Sequence, residues 1–302
     1  MTRVTPATLN SGVMAGLQSS LSRLQQTQEQ LSSGRRLSRP SDSPVDTVAA
    51  MQLRAERKQA DQLSRNIDDG MAWLNTSDQA LSQTSTVLNR VRTLVLAGAN
   101  STNGPEERRA MAAEVDQLRE AVLGIANTQY LGRPVFAGTQ DTAVAFDPTT
   151  GAYAGNTQTV KRTVSPDAAS GTLAVSVTGD QAFTTLLADP AAPSGQGLLA
   201  RISSALRSGD LSALGTSLTQ LDQASEAVRS TQTTVGARTN RLLATQAGGE
   251  VRADAVAAKL ASVEGIDLAK TITDLTLQQT AYQAALGAAA KVVQPSLMDF
   301  LR

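Results

Sequence analysis

The chain has 302 residues, with 27 lysines and arginines balanced by 27 aspartates and glutamates, and it contains neither histidine nor cysteine. Zero net charge argues against a general nucleic-acid or anionic-membrane binder, which carries a basic excess. Without His or Cys there is no disulfide, thiolate nucleophile, catalytic imidazole or His/Cys metal site. Aromatic residues are 3% of the chain, and five of the eight fall between Tyr130 and Phe183. The long flanks therefore bury mainly leucine, valine and alanine, which suits helix-on-helix packing.

The first predicted element is a helix from about Pro6 to Ser33. Thr5 can cap it and Pro6 suits its first position. Met14, Leu17, Leu21, Leu24 and Leu31 form an apolar stripe at heptad spacing. Gly34 follows where a left-handed residue is wanted. Next comes "GRRLSRPSDSP", a loop in which Gly34, Arg35, Arg36, Arg39, Pro40, Asp42 and Pro44 stand out. Such a charge cluster most often faces water.

A second helix starts at "SPVD", with Ser43 as N-cap, Pro44 at the first position and Asp46 completing a capping box. It can run to about Ala99, roughly 80 Å at 1.5 Å per residue. Its seam is Ile67, Leu74, Leu81, Leu88 and Val95, interleaved with Gly70, Ser77 and Thr84. "NSTNGPEERR" is a turn, and Pro105 opens a third helix that folds back on the second, with Glu106 and Glu107 suiting the helix dipole.

From about Gly132 to Gly195 the pattern changes. "TQTVKRTV" and "TLAVSV" alternate in the strand period, so a small β-rich domain is expected there. Helices resume near Gly197 and continue past "TQAGGE". The last helix carries Leu268, Ile272, Leu275, Tyr282, Leu286 and Val293 at heptad spacing, and Pro295 should bend or end it. The fold class is therefore mainly α with a β-rich insert. Each terminal helix has a narrow stripe that only another helix can cover, so the two ends of the chain should pair. The expected divisions are 1–43 and 265–302 for the paired ends, 44–131 and 197–264 for a helical bundle, and 132–196 for the outer insert.

Enzyme chemistry finds little support. Asp68 and Asp69 are adjacent on a helix and point in different directions. "DPTTG" at Asp147 reads as a turn, and "GIDLAKT" at Gly265 lacks the second glycine of a phosphate loop. No cofactor is called for. "MTRVTPATLN" has no apolar core of a secretory signal, and no run approaches the roughly 20 apolar residues of a membrane span.

Several stretches carry a resemblance: "QLSSGRRLSRPSDSPVDTVAAMQLRAE", "QADQLSRNI", "ANSTNGPEERRAMAAEVDQL", "ANTQYLGRPVFAGTQ", "VGARTNRL" and "QPSLMDFLR". On these the chain resembles the flagellin superfamily, and within it the hook-associated protein 3 group of the hook–filament junction. Pro44, the Phe136-Ala137-Gly138 triplet and the tail separate that group from filament flagellin. The resemblance implies paired terminal helices lining an inner tube, a surrounding bundle and an outward insert. It further implies self-assembly into a ring or helical layer, and hook-associated protein 1 and flagellin as neighbours. Export would run through the flagellar type III channel to the cell exterior, with a chaperone on the C-terminal helix. The loop from Gly34 to Pro44 would then lie where subunits meet.

Overall fold

The computed structural model describes residues 6–100, 103–166, 171–192 and 195–300, and the side chains of residues 11–290 within those spans. The N-cap expected at Thr5 and the side chain of Val293 lie outside the described residues. Helices dominate: α1 (Pro6–Ser33), α2 (Pro44–Gly98), α3 (Pro105–Ala126), α4 (Gly179–Leu187), α5 (Leu198–Ser208), α6 (Leu211–Glu264) and α7 (Leu268–Phe300). The chain divides into two compact units: residues 1–58 with 253–302, and residues 59–252.

The helix boundaries follow from local chemistry. Prolines open α1, α2 and α3, where a missing N–H costs nothing. The Asp210 carboxylate accepts from the amides of Ser212 and Ala213, both at 3.0 Å, and so caps α6. Asp267 caps α7 in the same way through the Lys270 amide at 3.1 Å. Gly209, at φ 70°, ends α5. Two breakers fail to break. The helix α6 runs through Gly248–Gly249, and α7 continues past Pro295. A proline removes one ladder bond, and the many other bonds of a 33-residue helix keep the segment helical on both sides of it.

In the central unit the seam of α2 is the core. Ile67, Leu74, Leu81, Leu88 and Val95 are all buried, as are Ser77 and Thr84 between them. Each of those two hydroxyls donates back to the carbonyl four residues earlier, Ser77 to Trp73 at 3.0 Å and Thr84 to Ala80 at 2.9 Å. Val115 and Val122 of α3, Ile202 and Leu206 of α5, and Leu214, Leu221 and Val228 of α6 join the same cluster. Arg92 pairs with Asp222 at 2.9 Å across its surface, and Arg90 with Glu114 at 2.6 Å.

The insert holds less strand than its alternation suggests. Two antiparallel pairs are present: β1 (Gln129–Tyr130) with β2 (Arg133–Pro134), and β3 (Lys161–Thr163) with β4 (Thr172–Ala174). Among the described residues neither pair gains a third strand, so each stays at two or three residues. The segment is held instead by an aromatic nest of Phe136, Phe146 and Phe183, all fully buried, with Phe183 edge-on to both partners. The side chain of Asn127, just after α3, accepts from the amides of Ala145 and Phe146 and donates to the Phe146 carbonyl. Gly138 of the "VFAG" stretch has φ 71°, and a Cβ there would lie 2.6 Å from the carbonyl oxygens of Asn156 and Gln158. Only glycine fits that position.

The turn between β1 and β2 is Leu131–Gly132, with φ of 49° and 75°. Two left-handed residues make the tight hairpin turn that normally uses Asn-Gly. Leucine is strained there by roughly 1–2 kcal/mol, and its side chain is 81% exposed, so no packing offsets the cost. Leu131→Asn is expected to raise the urea midpoint of the central unit by the equivalent of about 1 kcal/mol. A lowered midpoint would show that Leu131 is held by contacts within the monomer.

Candidate functional site

The terminal unit is built by α1 and α7, which pack along each other, and by the loop between α1 and α2. Heptad stripes predict the pairing, but the register is offset from the one expected. The covered face of α1 is Val13, Leu17, Ser20, Leu24, Thr27 and Leu31, and on α7 it is Thr271, Leu275, Gln278, Tyr282, Ala285 and Ala289. Leu17, Leu24, Leu31, Leu275 and Tyr282 thus lie on the contact. Met14, Leu21, Leu268, Ile272 and Leu286 are exposed. Small and polar residues take the intervening places, and one cross-helix hydrogen bond, from Thr27 Oγ1 to Gln278 Oε1 at 2.9 Å, fixes the register.

The outcome is a unit with little core. Leu37, Ala50 and Leu260 form its small apolar cluster. Against that, Met14, Leu21, Val45, Val48, Met51, Leu268, Ile272, Leu277 and Leu286 all stay in water. Exposed apolar surface on this scale marks a contact surface.

The loop from Gly34 to Ser43 is tied down at several points. Gly34, at φ 67°, reverses the chain. Arg35 then bridges to Gly265 as a single antiparallel rung, and the Arg36 amide donates to the Glu264 carbonyl at 2.7 Å. The Arg36 guanidinium is used within the chain, on Asp46 at 2.7 Å and the Val263 carbonyl at 2.9 Å. That contact, together with the Ser43 hydroxyl, holds the Asp46 carboxyl below its ordinary value. Asp46 therefore serves Arg36, while its amide takes the Ser43 cap at 3.4 Å.

Asp42 is the internal brace. Its carboxylate accepts from the amides of Arg39 at 2.8 Å and Ser38 at 3.0 Å. These bonds to the charged form, that to the Arg39 amide foremost, hold its pKa below 3.8. A depressed folded value means the brace is complete above about pH 4 and is lost as the pH falls through the lower folded value. Asp42→Ala is expected to lower the hydrogen-exchange protection of the Ser38 and Arg39 amides, relative to their intrinsic rates, at neutral pH, and acid below pH 4 should lower it in the unaltered chain. Unchanged exchange would mean that Pro40 alone shapes the loop.

Glu264 and Arg54 are the residues that sequence reasoning missed. Glu264 is buried at the last position of α6, and its carboxylate lies 2.7 Å from Arg54 Nε and 3.8 Å from Arg35 Nε. An acid at a helix C-terminus opposes the helix dipole and needs cations nearby, so "SVEGID" carried a signal. Beside these residues a groove of about 490 Å³ opens among Leu37, Pro40, Ala50 and Met51, with Arg35, Arg39 and Arg54 at its edge. Among the described residues no group of acids is placed to hold a metal ion, and no helix is long and apolar enough to cross a membrane. Asp69, weighed above as a catalytic acid, pairs instead with Arg162 at 2.8 Å.

Paired terminal helices with an unfinished apolar surface, in a chain that also carries a separate helical unit with its own core, define a class of protein that is completed by assembly. The bacterial flagellin N-terminal helical region matches residues 7–141, and the flagellin C-terminal helical region matches residues 218–301. Together they cover more than two thirds of the chain, which belongs to the flagellin family. Flagellar hook-associated protein 3 of Escherichia coli strain K12 is 26% identical over 90% of this chain and 91% of its own length. Flagellin FlaB2 of Treponema pallidum is 26% identical over 92% of each. The fold matches that of a putative flagellar hook-associated protein from Vibrio parahaemolyticus at a TM-score of 0.64, with 23% identity, covering 74% of this chain and all of that one.

Proposed function

We propose that the chain is a structural subunit of the bacterial flagellum that polymerises to form the junction between hook and filament. The observation that carries this reading is the terminal unit, where two paired helices leave Met14, Leu268, Ile272 and Leu286 exposed beside a small core. Such a surface is finished only by neighbours. The end-to-end alignment with hook-associated protein 3 supports the junction role. In this reading the subunit leaves the cell through the flagellar type III channel, with a chaperone covering α7 until export. It then sits between hook-associated protein 1 and flagellin.

A second reading, filament flagellin itself, is favoured by the equally long alignment with Treponema FlaB2. Deleting the gene separates the two. A junction subunit is needed in small amount: its loss should release soluble flagellin into the medium, and in the wild type the chain should be a minor component of sheared flagella. If the chain is instead the bulk component of sheared filaments, the flagellin reading holds. If it stays in the cytosol of flagellated cells, both fail.

A further inference from the structure

We propose that Asn103 is a site of spontaneous deamidation, and that the acid formed there unfastens the end of α2. The inference is independent of the junction reading.

In this reaction the backbone nitrogen of Gly104 attacks the side-chain carbonyl carbon of Asn103. A new C–N bond forms, the Gly104 proton and the side-chain nitrogen leave as ammonia, and a cyclic imide remains. Water then opens the imide at either carbonyl, giving aspartate or its β-linked isomer. Water is the sole co-reactant. A side chain on the following residue obstructs the attack, and glycine has none. Asn103 is the one asparagine of the chain that glycine follows.

The fold leaves this nucleophile available. Gly104 is the N-cap of α3, with φ −71° and ψ 172°, so it stands outside the helical ladder. Among the described residues its N–H donates no hydrogen bond. The Arg108 guanidinium donates to the Asn103 backbone carbonyl at 3.0 Å. A cation on that oxygen favours negative charge in the same peptide group, so the Gly104 N–H becomes easier to deprotonate. Other asparagines lack these features. Asn66, Asn75, Asn89 and Asn240 lie inside α2 and α6, where the next amide is tied into the ladder. After Asn127, the Thr128 amide donates to the Ile125 carbonyl at 3.0 Å, and three hydrogen bonds hold the Asn127 side chain.

The product matters because the Asn103 side chain has a structural task. Its amide donates to the Ala97 carbonyl in the last turn of α2, beside the Asn100 amide at 3.1 Å. Carbonyls at a helix end need such outside donors. A carboxylate at this position cannot donate, repels the carbonyl and adds negative charge at the negative end of the helix dipole. The β-linked isomer also lengthens the backbone immediately before α3.

The test keeps the purified full chain in mildly alkaline buffer, folded and in urea, and follows it by peptide mass mapping and ammonia release. Conversion is expected at Asn103 ahead of every other asparagine, in the folded chain as well as in urea. Gly104→Ala should lose most of it. The added Cβ meets only the end of the flexible Glu107 side chain, at 2.5 Å, so circular dichroism should match the parent. Asn103→Asp supplies the product directly, and should lower the hydrogen-exchange protection of the Asn100 and Asn103 amides relative to their intrinsic rates. Conversion first at another asparagine, conversion at Asn103 only in urea, an undiminished rate in Gly104→Ala, or full protection in Asn103→Asp would each overturn the proposal.

Discussion

Leu286→Asp is expected to leave the melting transition of the isolated chain unchanged while abolishing incorporation into flagella. The side chain is 45% exposed on α7, so a carboxylate there stays hydrated in the monomer. In an assembly that covers the stripe, the loss is larger. Burying a leucine contributes about 1.5–3 kcal/mol, and an unpaired buried carboxylate costs several more. Repeated at every subunit contact, that is enough to prevent a closed layer. Cells carrying the variant should release flagellin into the medium and lack filaments. Leu275→Asp is the control: Leu275 faces α1, so its replacement should weaken α1–α7 pairing as well. A large loss of monomer stability in Leu286→Asp, or normal filaments, would refute the assignment of this stripe to subunit contacts.

Phe183→Ala is expected to cost the central unit about 3–5 kcal/mol, read as a fall in the urea midpoint at constant slope. Phe183 is fully buried, with its ring centroid 4.9 Å from Phe136 and 5.8 Å from Phe146. Edge-on pairs of this kind add about 0.5–1.5 kcal/mol each beyond the buried area. Short strand pairs cannot close over the hole, because each has only two or three residues to move. A change in midpoint near zero would mean that the insert contributes nothing to the stability of the unit carrying it.

The long helices were legible because their signals are local. A proline at the first position and a seven-residue apolar repeat place α2 and its seam, from Ile67 to Val95, without reference to anything distant. The register of α1 against α7 was less legible. Leucine size points to Met14 and Leu21, yet the contact uses Ser20 and Thr27, because two slender helices pair more closely over small side chains and a threonine can reach Gln278. The loop divides in the same way. Gly34, Pro40 and Asp42 act within ten residues, and their roles follow from turn chemistry. Glu264 and Arg54 do not, since their partners are set by the fold and Glu264 lies 229 residues from Arg35 in sequence. The insert misled for a related reason: alternation predicts which face of a strand is buried, but strand length depends on neighbours, and among the described residues each strand has only one.

The bond between Thr27 and Gln278 spans 251 positions. The central unit is a single compact stretch, residues 59–252, with its own core, so it can fold while the rest of the chain is still being made. The terminal unit has no such freedom, since α1 and α7 stand on opposite sides of that stretch. Its closure must wait until α7 has been made, and it must also meet the loop-closure cost of joining distant segments. Synthesis order thus leaves a period in which α1 is complete and its mate does not yet exist, and during that period its stripe is open to any other binder in the cell.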